Sequence, residues 1–129
     1  MRSGQALLFV AALAIATPAA AQDSSAFGDR VVPILNQRCV MCHVEGGALG
    51  ELSLYPDPWV RLVGVASTQS PFKLVEPGSP EKSYLYAKLL GTHDQAGGSG
   101  LRMPVQQDPL GAEELETIRQ WILKGALRD

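Results

Sequence analysis

Cys39 and Cys42 are the only cysteines among 129 residues, and His43 follows the second directly. Two thiols and an imidazole within five residues can grip one group from one side, and a chain this short must then close over whatever they hold. Its length allows one domain around one hydrophobic core and is too small for a two-domain enzyme.

The N-terminal residues bear on the compartment. Arg2, an apolar run of 11 residues from Ala6 to Ala16, and the triplet Ala19-Ala20-Ala21 read as a secretory signal peptide. The signal peptide is expected over 1–21, with a mature domain over 22–129 in the periplasm. Such a run is shorter than the roughly 20 residues that span a bilayer, and no cysteine follows it directly to accept a lipid. No stable membrane insertion is expected after cleavage. Removal of Arg2 takes the 11 basic side chains to 10 against 13 acidic ones, a net charge of −3 with neutral histidines. That balance argues against nucleic-acid binding, which requires clustered Lys and Arg.

Two cysteines in an exported chain ordinarily pair as a disulfide. Here Cys39-Val40-Met41-Cys42-His43 has the C-x-x-C-H spacing of covalent haem attachment. Thiols three residues apart at a helix end reach the two vinyl groups on one porphyrin edge, and the next imidazole turns to the iron. A zinc site needs four ligands, and only His93 remains as a usual partner. A dithiol oxidoreductase places the motif at a helix start in a strand-containing fold, whereas here it follows a helix.

A sixth iron ligand must then come from the opposite side. Met103, in Leu101-Arg102-Met103-Pro104, is the first choice, because a thioether is a soft, neutral ligand that favours ferrous iron. Pro104 biases Met103 towards an extended backbone, suited to a strap across the haem face. Met41 lies between the attaching cysteines and is too close to swing round. His93, in the same loop, is the alternative, and a second imidazole would lower the potential relative to methionine.

Around these residues the pattern is helical. Phe27, Val31, Ile34 and Leu35 recur at helical intervals between Ser24 and Arg38, with Pro33 predicting a kink or a fresh start. A glycine- and proline-rich stretch over 44–58 reads as a loop wrapping something, and Trp59–Ala66 as a short helix. Ser79-Pro80-Glu81 reads as the capped start of a helix ending at Gly91. Thr92–Pro109 has no periodicity, and a loop of that length is usually functional. Ala112–Lys124 is the clearest helix, with Leu115, Ile118 and Ile122 on one face and Gly125 as terminator. No period-two strand pattern occurs, so the expected fold class is all-α with long loops.

With Val32-Pro33-Ile34-Leu35 before the cysteine motif, Pro77-Gly78-Ser79-Pro80, Arg102-Met103-Pro104, and Trp121-Ile122 running to Gly125-Ala126, the chain resembles class I monohaem cytochromes c over nearly all its mature length. It is similar above all to the short bacterial domains called planctomycete-type cytochrome c. The resemblance implies three main helices around one haem c, with the first and last crossing, and axial roles for His43 and Met103. It departs from the family at Val105, where a second proline is common, and at Gly111, where Ser or Thr usually caps the last helix.

The expected function is one-electron transfer between a redox donor and a redox acceptor protein, without catalysis of its own. No residue set for acid, base or nucleophilic chemistry is evident. The alternative is a haem subunit or ligand-binding haem domain of an oxidoreductase, with a displaceable or different sixth ligand.

Overall fold

Pro33 marks where the first regular helix begins. In the computed structural model, which describes residues 27–44 and 49–128, Phe27–Val31 forms a single wide π-helical turn. Helix α1 follows over Val32–Arg38, with Pro33 in its first turn. Proline is tolerated there because the first amides of a helix have no partner inside it. The expected signal peptide over 1–21 lies outside the described residues.

Helix α2 spans Pro58–Leu62, and the Asp57 carboxylate accepts from the Trp59 amide at 3.1 Å to cap it. It ends four residues before the expected Ala66. Val63, Gly64 and Val65 are poor helix formers, and the chain turns instead to pair with 74–75. The Gly64 amide donates to Val75 O at 2.9 Å and the Leu74 amide to Val65 O at 2.7 Å. Isolated bridges of this kind join 63–66 to 73–75 and Lys73 to Ser83, and no strand forms among the described residues.

A 3₁₀ turn over Pro80–Lys82 leads into α3, Tyr84–Leu90, which stops at left-handed Gly91 as expected. The Ser79 side chain, expected to cap this region, makes no such bond. Ser83, wholly buried, takes over the pinning: its Oγ donates to Ser79 O at 2.9 Å and accepts from the Glu76 amide at 2.9 Å.

Helix α4 spans Ala112–Leu123. Gly111 has no side chain to cap it, and the Glu114 carboxylate instead accepts from the Gly111 amide at 2.8 Å. The same carboxylate lies 3.5 Å from the Arg38 guanidinium, which joins the ends of α1 and α4. Gly125, at φ 104°, closes α4 in a conformation that favours glycine.

The core draws on all four helices: Leu35, Leu62, Leu89, Ile118, Trp121 and Ile122 are its most buried large side chains. Phe27 stacks on Trp121 with ring centroids 5.1 Å apart, bringing the N-terminal turn onto α4. Both indoles hold the C-terminal segment, Trp59 donating to Ala126 O at 2.8 Å and Trp121 to Leu127 O at 3.0 Å. Among the described residues, no helix is long and apolar enough to cross a membrane.

Candidate functional site

Past Arg38 the helix tightens rather than stopping. The Cys39 and Val40 amides both donate to Leu35 O, and the Cys42 and His43 amides both donate to Cys39 O. This turn presents Cys39 half-buried, Cys42 exposed and His43 half-buried on one wall of a cavity of about 680 Å³. That volume lies within the range of cofactor pockets, roughly 300–1,000 Å³. Met41 points elsewhere and is 86 % exposed.

His43 is oriented by the loop that follows it. Its Nδ1 lies 3.1 Å from Leu52 O. A carbonyl only accepts, so Nδ1 carries a proton, and in the neutral ring Nε2 keeps its lone pair. Histidines that bind metals typically show this arrangement, with the second ring nitrogen donating to a carbonyl or carboxylate. The Leu54 amide donates back to His43 O at 2.8 Å, closing the loop on the motif.

Both thiols are free. Burial pushes the Cys39 thiol up to about 11 from an ordinary 9.0, with Arg38 opposing and Glu114 and Cys42 adding to the rise. Cys39 is therefore a protonated, weakly reactive thiol.

Met103 lines the same cavity as Cys39, Cys42 and His43. Its amide donates to Lys88 O at 3.1 Å, and Arg102 Nε donates to Leu89 O at 2.9 Å. The strap thus satisfies carbonyls at the end of α3 that have no partner within the helix. Leu54, Leu74, Leu85, Leu89 and Val105 supply apolar wall.

His93 is not on this wall. It is 7 % exposed, its Nε2 donates to Gly100 O at 2.8 Å, and its Nδ1 has no partner. Trp59, Trp121 and Tyr86 also lie off the cavity, whereas Tyr84 lines it and donates to Gln69 Oε1 at 3.1 Å.

Sequence reading had not singled out Lys88, which lines the cavity and is nearly as buried as His93. Its signal was a lysine on the apolar face of α3, four residues after Tyr84 and beside Leu89. Burial lowers the Lys88 ammonium from its ordinary value.

A second cleft, of about 720 Å³, lies between Arg30, Ile34 and α4 and holds neither thiol nor imidazole. Among the described residues, no three His, Cys, Asp or Glu side chains converge on one point as a metal-ion cluster. The donor set of the main cavity is two thiols, one imidazole with a free Nε2 and one thioether. A haem needs no larger set, because the porphyrin brings four nitrogens of its own. The residues present fit that group. Compared with protein-family models, curated proteins and solved structures, the chain matches none.

Proposed function

We propose that the protein is a class I monohaem cytochrome c that carries single electrons between redox proteins in the periplasm. The observation that carries this reading is the hydrogen bond from His43 Nδ1 to Leu52 O. It leaves Nε2 as a metal donor in the cavity that Cys39, Cys42 and Met103 also line.

In this reading Cys39 and Cys42 would hold the haem covalently, each thiol adding across one vinyl group, its sulfur to one carbon and its proton to the other, which requires no oxidant. Bound haem would supply one iron that exchanges a single electron between ferric and ferrous states. His43, oriented by Leu52, would be one ligand to that iron and Met103 another, and a neutral thioether favours the ferrous form. The leucines of the wall would act in the same direction, since low-polarity surroundings disfavour the extra charge of ferric iron. With His43 and Met103 both serving as ligands, electrons would pass without binding of substrate.

The test is the absorption spectrum of protein matured with haem in an oxidising compartment, recorded ferric, ferrous and after denaturation. The expected result is haem that stays attached on denaturation and a ferric methionine-to-iron charge-transfer band. Attached haem without the band would argue for another sixth ligand or an open site. Absence of attached haem would return Cys39 and Cys42 to thiol or disulfide chemistry.

A further inference from the structure

The strap ahead of Met103 is gripped at three consecutive carbonyls. Lys88 Nζ donates to Ser99 O at 2.7 Å and to Leu101 O at 2.9 Å. The carbonyl between them, Gly100 O, accepts from His93 Nε2 at 2.8 Å. An ammonium and an imidazole together thus hold three consecutive carbonyls of the strap. The grip continues to the ligand itself, because the Met103 amide donates to Lys88 O at 3.1 Å.

Lys88 is an unusual residue for this place. It is 9 % exposed, and no carboxylate pairs with it among the described residues. The ring of Tyr84, 5.9 Å from Nζ, is its remaining favourable neighbour. A buried ammonium is costly unless its hydrogen bonds are made, so Lys88 stays in place only while the strap lies across it. Glycine also suits the fit: Gly100 has φ +82°, and a Cβ there would sit 3.5 Å from Nζ.

We propose that Lys88 is a positioning residue that fixes Met103 at the cavity, and that its buried positive charge also biases the iron towards its reduced state. The inference rests on the haem reading above. Charge-assisted hydrogen bonds are the stronger kind, and both are made to the segment four to two residues before the ligand. A cation on the cavity wall opposes the added charge of ferric iron. Clamp and charge therefore act in the same direction, towards a tightly ligated, reducible centre.

The experiment uses the haem-loaded full chain with Lys88→Met, and Lys82→Met as a control that removes the same charge from an exposed position. The ferric charge-transfer band, the rate of carbon monoxide binding to ferrous protein and the reduction potential are measured. Loss of the clamp raises the Met103-displaced population by about tenfold or more. Lys88→Met is expected to lose band intensity, bind carbon monoxide at least about tenfold faster and show a lower potential, with Lys82→Met unchanged. Should Lys88→Met fail to yield folded haem protein, Lys88→Gln, which keeps a donor but no charge, takes its place, with a lower potential expected and a smaller loss of the band; an unchanged potential overturns the inference. A wild type that shows the band together with a variant of unchanged band, rate and potential overturns this inference alone. A wild type without attached haem overturns both readings.

Discussion

Each side chain of the candidate site has a separable task. Met103 and His93 share one loop yet differ in what they face: Met103 the cavity, His93 the carbonyl of Gly100. In the proposed haem protein, Met103→Ala is therefore expected to lower the potential and admit carbon monoxide. His93→Ala should keep the charge-transfer band and cost roughly 1–2 kcal/mol of stability through one lost hydrogen bond. The reverse pattern in spectra of the two variants would make His93 the ligand. Cys39 offers a pH test in the haem-free chain. With its thiol near 11, alkylation at Cys39 should rise about tenfold per pH unit from about pH 8 to about pH 10, as followed by mass spectrometry. Its folded-state value lies above the ordinary 9.0. Burial of the neutral thiol hence stabilises the haem-free fold fully below about pH 9, and that contribution fades as the pH rises through about 11.

At the level of elements, α3 and the strap after it behave as one unit. The end of α3 supplies Lys88 O and Leu89 O to the strap, and the strap supplies Ser99 O and Leu101 O to Lys88. Gly98 lets this happen, because a Cβ there would overlap the phenol of Tyr84. Gly98→Ala is expected to displace the strap and cost roughly 1–3 kcal/mol, the usual range for overpacking. Thermal melts together with the charge-transfer band measure the two effects. The start of α4 depends on Glu114, which caps Gly111 and pairs with Arg38. Glu114→Ala should cost about 1 kcal/mol in denaturant melts, as loss of a helix cap does.

The whole molecule has one hydrophobic core with a cavity at its side. Phe27, Leu35, Trp121 and Ile122 fill the part of it, made of protein alone, where the N-terminal turn and α1 meet α4. Leu54 belongs to the same core and Met103 packs against it, and both also line the cavity of about 680 Å³. Trp121→Ala is expected to cost roughly 3–5 kcal/mol with or without haem, since it empties the protein-only core. Removal of the proposed haem should act on the segments that line the cavity. Amide exchange across 49–54 and 99–107 is expected to speed up without haem, while α4 keeps most of its protection.

Much of this was legible along the chain, because its causes are local. The C-x-x-C-H spacing, the left-handed glycine ending α3 and the apolar stripe of α4 all depend on residues a few positions apart. So does the division of the first helix at Pro33. The end of α2 at Leu62, the replacement of Ser79 by Ser83, and the capping of Gly111 by Glu114 were less visible. In each, several side chains compete for the same backbone group, and packing selects among them. The separation of Met103 from His93 was visible only as a preference for the methionine, and the burial of Lys88 was not visible at all. They depend on α3 meeting a strap more than ten residues downstream, and sequence spacing carries no information about which carbonyls that encounter brings within reach of an ammonium.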